Sequence, residues 1–264
     1  MRLVRFAPAD GGAPRFALVQ GDGAAASAVE CSDPFAGDGS PPVPLPGGAT
    51  HALSSLQLLP PSEPTKIVCA SGTYKAVIVS MNKAWPTEPV IFLKPSTAAT
   101  GHGSAIQWPA HAGELTHEPE LAVVISRRAK DVPPDEIDAH ILGYTCANDV
   151  TAWDVLQRVT HFTRPKAYDT FCPVGPVIVK GEGFDPDDAG IRSFVNGLPA
   201  LDTRTSDMVF TVREIVSFCS SVMTLLPGDV VSTGACGVGQ VAAGDLVEIE
   251  IDGIGRLANT VVRG

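Results

Sequence analysis

The sequence predicts a mixed α/β, β-rich fold with a rolled mixed β-sheet as its core and only a few short helices. Two observations predict it. The apolar runs are numerous, short and of uneven length, and Pro- and Gly-rich turns separate them. Regular alternation of strands with long helical segments, typical of a doubly wound parallel sheet, is not seen in the sequence.

The chain begins with a small β region. Residues 3–6 and 16–19 are apolar runs around a Gly-rich turn, and we expect two strands there. Residues 21–65 are rich in Ala, Gly, Pro and Ser and show little periodicity, which indicates a loosely structured connector. We therefore divide the 264 residues into a small N-terminal region and connector over 1–60 and a larger domain over 61–264.

The rest of the chain reads mainly as strands. Eight β-rich runs are predicted, at residues 67–69, 90–93, 121–125, 174–179, 208–210, 230–233, 246–251 and 257–262. One helix is predicted to begin near Asp149. A second has Thr211 as its N-cap and Glu214 three residues later, which together form a capping box. Its apolar positions repeat with the helical period until the turn at residues 226–229.

Composition excludes several classes of protein. A formal net charge of −10 argues against nucleic acid and anionic membranes as partners. No run of 18 apolar residues suggests a membrane span, and the first residues do not resemble a signal peptide, so a cytoplasmic protein is expected. The six cysteines are scattered and lie mostly in apolar runs, as is typical of reduced, buried thiols.

Three carboxylates are the strongest functional signal. Glu118 and Glu120 are spaced i, i+2 at the start of an apolar strand, so their side chains point to one face while His117 points away. Asp149 follows the next β-rich run. Three close carboxylates suit a hard divalent ion such as Mg²⁺, which usually keeps water or substrate oxygens at its other positions.

Seven segments in order resemble the fumarylacetoacetate hydrolase (FAH) family. They are residues 89–96, 117–124, 143–149, 166–176, 205–210, 223–230 and 233–234. The resemblance covers most of residues 66–264. It implies an FAH-type rolled β-sheet, a homodimer, and a small-molecule substrate with a 2-oxo acid or β-dicarbonyl unit.

The resemblance also implies roles for particular residues. Glu118, Glu120 and Asp149 match the family's Mg²⁺ or Mn²⁺ ligands, and Lys166 matches a lysine beside the metal. The ion would act as a Lewis acid, and Lys166 would stabilise an enolate. Candidate substrate-binding residues, by position in the motifs, are Tyr74, Trp153, Thr170, Thr233 and Gly234.

One family feature is missing from this chain. Hydrolytic members carry a segment of the type Arg-Asn-Tyr-x-x-His-x-x-Glu, whose His–Glu pair activates water. Here Tyr74 remains, but Val77 stands at the histidine position and Ser80 at the glutamate position. Trp153 replaces a common arginine, and the loop at residues 233–239 is shortened. Both changes should make the pocket less suited to a substrate carboxylate, and Trp153 should make it more suited to an apolar or aromatic body.

Lys75 and His102 are the candidates for the missing base. Lys75 lies within the altered segment, and a lysine desolvated in an apolar pocket can act as a base. His102 lies in a Gly-rich segment. For Lys75, a solvent-facing lysine is the alternative interpretation.

The functional hypothesis is a divalent-metal-dependent enzyme that forms an enolate from a β-dicarbonyl or 2-oxo acid, nominally a C–C bond hydrolase. Because the water-activating pair is missing, a decarboxylase, an isomerase or tautomerase, or a dehydratase or cyclase is the first alternative. A dimeric relative that binds metal or ligand without catalysis is the second.

Overall fold

A mixed β-sheet of 12 strands forms the centre of the protein, and the β-rich fold predicted from the sequence is confirmed. The computed structural model describes residues 1–82, 84–181 and 183–263. The N-terminal strands are β1 (Arg2–Ala7), β2 (Arg15–Gln20), β3 (Ser27–Cys31), β4 (Thr50–Ala52) and β5 (Gln57–Leu58). Those of the remaining chain are β6 (Ile67–Ser71), β7 (Val90–Lys94), β8 (Ala99–Thr100), β9 (Ile106–Trp108), β10 (Leu115–His117), β11 (Pro119–Ile125), β12 (Ile141–Asn148), β13 (Thr151–Ala152), β14 (Cys172–Val179), β15 (Gly190–Val195), β16 (Leu198–Arg204), β17 (Val230–Ser232), β18 (Gly239–Val241), β19 (Leu246–Ile251) and β20 (Gly255–Arg263).

Helices are few and mostly short. The α-helices are α1 (Lys75–Ser80), α2 (Trp153–Leu156), α3 (Thr163–Lys166) and α4 (Val212–Val222). Single 3₁₀ turns lie at Gly23–Ala25, Leu53–Ser55, Ser96–Ala98, Ile137–His140 and Thr205–Asp207. Within the described ranges, no helix is long and apolar enough to cross a lipid bilayer.

The strands form three sheets. The large sheet has the order β4-β3-β2-β1-β14-β12-β11-β17-β6-β7, with β5 and β8 attached to β1 and β14. A five-stranded sheet has the order β16-β15-β19-β20-β9, and a three-stranded sheet the order β13-β10-β18. Most neighbours are antiparallel, whereas β17–β6, β14–β8 and β20–β9 are parallel. The large sheet is therefore mixed, as predicted.

The central strand β11 is buried on both faces. Leu121 and Val123 share one buried cluster with Ile191 and Ile249 of the five-stranded sheet, while Val124 belongs to a second cluster on the opposite face. A strand covered on both sides needs a continuous apolar run rather than an alternating one, which explains the composition of residues 121–125. This double burial makes β11 a rigid support for the carboxylates at its start.

The N-terminal region is more ordered than predicted. Residues 21–65 contain β3, β4 and β5, and Glu30 on β3 accepts hydrogen bonds from Arg15 and contacts His51. These strands are only two to five residues long, so period-two alternation has too little length to stand out from an Ala-, Gly- and Pro-rich composition. The expectation of a loose connector was wrong.

The N-terminal strands also extend the large sheet, because β1 pairs antiparallel with β14. The division of the chain near residue 60 stays a prediction.

Two further local predictions were wrong. No helix begins at Asp149; β13 follows, and α2 begins at Trp153. Residues 208–210 are not a strand: Met208 forms an isolated bridge with Tyr74, and the amide of Val209 donates to the carbonyl of Thr73 at 2.8 Å. The run is too short to form a β-ladder. Its two contacts connect the segment before α1 to the segment before α4.

The helix α4 follows its sequence signals. The Thr211 hydroxyl accepts a hydrogen bond from the amide of Glu214 at 3.2 Å, and the Glu214 carboxylate accepts from the amide of Thr211 at 2.7 Å. The predicted capping box is thus confirmed. Val212, Ile215, Val216 and Cys219 of this helix are buried, whereas Val222 lies at the exposed last turn.

Thr211→Ala should lower the free energy of unfolding by about 1 kcal/mol, because an amide at the helix start loses its acceptor. Urea denaturation measures the change. Thr211→Ser is the matched control, since it keeps the hydroxyl and should recover most of the loss. Equal stability of the alanine variant and the wild-type protein would contradict the capping role.

Candidate metal centre

The three predicted carboxylates meet at one point. Glu118 lies between β10 and β11, Glu120 is the second residue of β11, and Asp149 directly follows β12. The register of β11 and β12 places Glu120 opposite Ala147, so the start of one strand lies beside the end of the other. One oxygen from each carboxylate lies within 4.8 Å of the others, and all three residues are buried.

His117 points away from the three carboxylates, as alternation along the strand predicts. Its Nε2 lies 2.9 Å from the hydroxyl of Ser193, and its Nδ1 lies 3.0 Å from the carbonyl oxygen of Gly239. His117 therefore connects this strand to the second sheet rather than facing the carboxylates.

Glu120 has one satisfied and one unsatisfied oxygen. Its Oε2 accepts hydrogen bonds from the hydroxyl of Ser232 and from the amide of Gly234, the latter at 2.9 Å. Its Oε1 is buried and has no hydrogen-bond partner among the described residues. Burial, reinforced by the charge of Asp149, raises the pKa of Glu120 to about 8. A buried carboxylate oxygen without a donor is satisfied either by a proton or by a cation.

Two buried lysines flank Asp149. Lys94 donates to Oδ1 of Asp149 and to the carbonyl oxygens of Val150 and Phe171, at 3.2 and 2.5 Å. Lys166 donates to Oδ2 of the same aspartate at 2.5 Å. Burial alone would raise the pKa of Asp149, but the two ammonium groups lower it below its usual value. Asp149 is thus held ionised and fixed in orientation.

Lys166 also contacts Glu118 and Thr151. Its Nζ lies 2.9 Å from Glu118 Oε2 and 2.7 Å from the Thr151 hydroxyl, which itself donates to Glu118 Oε1 at 2.7 Å. Burial opposes its charge, yet the neighbouring Asp149 and Glu118 raise the pKa of Lys166 above its usual value. The ammonium form of Lys166 is therefore favoured at this position.

Lys94 was not among the predicted site residues, although it lies within the family-like segment 89–96. The signal available in the sequence was a lysine that ends the apolar strand β7, where a charged group must find a buried partner. The partner is 55 positions away in the chain.

The residues fit a divalent cation. Carboxylate oxygens are the ligands that Mg²⁺ and Mn²⁺ prefer, and Glu120 Oε1 is a buried acceptor that lacks a donor. Three carboxylates against two lysines leave one negative charge in excess. Glu118, Glu120 and Asp149 could therefore hold a divalent ion, with Lys94 and Lys166 beside it.

A cavity of about 60 Å³ opens onto the carboxylates. Its floor is formed by the three carboxylates and Lys166. Its walls are apolar or small, and include Val77 of α1 and the predicted substrate-binding residue Trp153 of α2. The structure thus brings together the three acids, Lys166 and Trp153.

The two candidate bases lie elsewhere. Lys75 is exposed, and its Nζ contacts the carbonyl oxygen of Ser206 at 3.3 Å. Residues two apart on a helix point to different sides, so α1 presents Val77 rather than Lys75 to the cavity. His102 accepts a hydrogen bond from the amide of Ala258 at 3.1 Å, and burial lowers its pKa. Neither residue lines the cavity.

The position of the water-activating pair holds no base. Val77 lines the cavity, and the exposed Ser80 donates its hydroxyl to the carbonyl oxygen of Val77 at 2.9 Å. Tyr74, the residue retained from that segment, is fully buried at the N-cap of α1, and its hydroxyl has no partner among the described residues. Burial, with smaller contributions from Cys236 and Glu120, raises the pKa of Tyr74.

The remaining predicted substrate-binding residues position the site in this structure. Thr233 donates to the carbonyl oxygen of Leu121 at 2.9 Å, and Thr73 donates to the carbonyl oxygen of Thr233 at 2.8 Å. Gly234 has φ +108°, and a Cβ there would lie 2.0 Å from the Thr73 hydroxyl, so only glycine fits where its amide meets Glu120. Thr170 accepts a hydrogen bond from the amide of Gln107 at 2.8 Å. Direct contact of these residues with substrate stays a prediction.

Together, the fold and the buried acid–lysine cluster define a β-rich protein built around a candidate divalent-metal site. The family model described as fumarylacetoacetate (FAA) hydrolase C-terminal matches residues 66–262, and a model described as Rv2993c-like N-terminal matches residues 1–61. The chain belongs to the fumarylacetoacetate hydrolase family, as the sequence motifs predicted.

Several relatives match over nearly the whole chain. Protein Rv2993c of Mycobacterium tuberculosis is 43% identical and is covered to 98%, with 100% of this chain aligned. Oxaloacetate tautomerase fahd2, mitochondrial, of Xenopus laevis is 34% identical, over 99% of this chain and 90% of that protein. A crystal structure of 5-carboxymethyl-2-hydroxymuconate delta-isomerase from Mycobacterium smegmatis is 42% identical and superposes with a TM-score of 0.89, over 100% of both chains.

Glu120→Gln should weaken the binding of Mn²⁺ or Mg²⁺ by at least about 100-fold, because removal of a direct ligand should cost no less than the roughly 10- to 100-fold loss that follows removal of an outer partner. Isothermal titration of the metal into chelator-treated protein measures this.

The matched control is Glu136→Gln, which removes the same charge from an exposed residue. Unchanged metal affinity in Glu120→Gln would rule out the proposed ligand set.

Proposed function

We propose that this protein is a divalent-metal-dependent tautomerase or isomerase that interconverts enol and keto forms of a 2-oxo acid or β-dicarbonyl compound. The observation that carries the proposal is the cavity itself. An acid cluster fit for a cation and a charged lysine lie at its floor, and Val77 occupies the wall position where hydrolytic relatives have a histidine. The site retains acids that could hold a cation and a lysine that could stabilise an enolate, and it lacks the histidine and glutamate that activate water in hydrolytic members.

Each floor residue has a definable task. A bound Mg²⁺ or Mn²⁺ would supply Lewis-acid chemistry at a substrate oxygen. Glu118, Glu120 and Asp149 would hold that ion, and the hydrogen bonds from Ser232 and Gly234 fix Glu120 in place. The Lys166 ammonium lines the cavity, and one of its N–H groups, which contact Glu118, Asp149 and Thr151, would exchange its partner for the negatively charged oxygen of an enolate.

Hydrolysis makes a further demand. A water molecule must lose a proton to a base within about 2.6–3.2 Å as it attacks. Val77 cannot accept a proton, and the Ser80 hydroxyl is engaged on the helix backbone. The names of two relatives, an oxaloacetate tautomerase and a hydroxymuconate delta-isomerase, support enol chemistry without cleavage.

C–C bond hydrolysis, the nominal activity suggested by the family resemblance, remains the rival proposal. Decarboxylation, dehydration and cyclisation would also need a stabilised enolate, but each would give a different product. A non-catalytic ligand-binding relative would bind metal and turn nothing over.

The Mg²⁺-loaded protein should accelerate the decay of the enol absorbance of a 2-oxo acid such as phenylpyruvate, and EDTA should abolish the effect. Lys166→Met should lower kcat by about 100-fold or more, the usual cost of removing one oxyanion donor. Arg128→Met, which removes an exposed cation outside the cavity, is the control. Mn²⁺ binding by Lys166→Met verifies that the site is intact.

The same preparation, incubated with an acylpyruvate in ¹⁸O-labelled water, separates the rivals by product. Label in a released carboxylic acid would establish hydrolysis and refute the tautomerase proposal. Loss of CO₂ would identify a decarboxylase. Tight metal binding with no change in any enol would favour the non-catalytic relative.

We further propose that the protein is a cytoplasmic homodimer, as the family resemblance implied. Sedimentation velocity of the full chain should give about twice the mass of one chain. A single species with the mass of one chain at micromolar concentration would contradict the homodimer.

A further inference from the structure

The cavity has a polar floor and apolar walls. Besides the acids and Lys166, the lining includes six larger apolar side chains: Val77, Met81, Phe92, Trp153, Leu156 and Val238. We propose, on the basis of the proposed function, that the substrate carries an apolar alkyl or aryl tail beyond its 2-oxo acid or dicarbonyl head, rather than a second carboxylate.

The apolar walls come from separate parts of the fold. Val77 lies on α1, Phe92 on β7, and Val238 in the segment before β18. Trp153 and Leu156 are three residues apart on α2, which places them on the same side of the helix. Because α1, β7, α2 and the segment before β18 each contribute an apolar group, the apolar character of the walls does not depend on one side chain.

A second carboxylate would find little compensation there. Among the described residues that line the cavity, Lys166 is the cation, and the proposed function assigns it to the enolate oxygen of the head. Arg158, two positions beyond Leu156, donates to the carboxylate and the backbone carbonyl of Asp154, at 2.7 and 2.9 Å. Desolvating an ionised group against apolar side chains without a partner is costly, whereas an apolar tail gains free energy from the same burial.

The cavity is small, so a tail would have to displace a wall. About 60 Å³ is small beside the roughly 300–1,000 Å³ of common ligand sites. The helices α1 and α2, which supply much of the wall, each bury a single residue, Ile78 and Val155. Helices with so few buried side chains can shift at modest cost when a tail enters.

Two oxamates with the same head test the tail directly. N-phenyloxamate carries an aromatic tail and N-oxalylglycine carries a carboxylate, and neither can form an enol, so binding is measured apart from catalysis. Titration into the Mg²⁺-loaded full chain should show N-phenyloxamate binding at least tenfold tighter, a difference of about 1.4 kcal/mol. Trp153→Arg should reduce that ratio at least tenfold.

Gln157→Arg adds the same charge to an exposed residue that does not line the cavity, and should leave the ratio unchanged. Equal or tighter binding of N-oxalylglycine by the wild-type protein would overturn the inference, as would failure of both oxamates to bind. A ratio that Trp153→Arg leaves unchanged would show that the apolar wall does not select the tail.

The two proposals fail in different ways. Absence of enol turnover with the tenfold binding preference intact would refute the tautomerase proposal and keep the apolar-tail preference. Enol turnover with equal binding of the two oxamates would support the tautomerase proposal and refute the apolar-tail preference.

Discussion

The ion pairs between two buried lysines and the carboxylates are the interaction on which the site depends. Three carboxylates within 4.8 Å of one another would repel strongly in a buried setting. Lys94 and Lys166 offset two of the three charges and fix both oxygens of Asp149. Removing one partner from a buried ion pair commonly costs about 3–5 kcal/mol, so the cluster is a single unit rather than three separate acids.

The strand pairing of the large sheet brings residues of this cluster together. The antiparallel register of β11 and β12 brings Glu120 beside the end of the neighbouring strand, and the parallel pair β17–β6 sets Ser232 beside Cys69 on the other side of β11. Ser232 then donates to Glu120. Strand pairing thus places Glu120, and a backbone hydrogen bond from the amide of Asp149 to the carbonyl of Glu118, at 3.0 Å, connects the other two candidate ligands.

Local sequence patterns predicted the features that depend on residues close together in the sequence. Spacing i, i+2 placed Glu118 and Glu120 together, and the capping box located α4. Lys94 escaped prediction because its partner is distant in sequence, and periodicity carries no information about such a pairing. The strands within residues 21–65 escaped because each is stabilised by neighbours already in the sheet rather than by its own pattern. Propensity near Asp149 favoured a helix, but pairing with β10 imposed β13 instead.

The pairing of β1 with β14 has a consequence for the architecture of the chain as a whole. Without residues 1–61, the backbone of Ile178 and Val179 at the end of β14 would lose the pairing that β1 supplies. Exposed strand edges of this kind recruit other strands and promote aggregation. The N-terminal strands therefore cover part of one edge of the sheet that carries the acids. That task accounts for an ordered N-terminal region that contributes no side chain to the lining of the cavity.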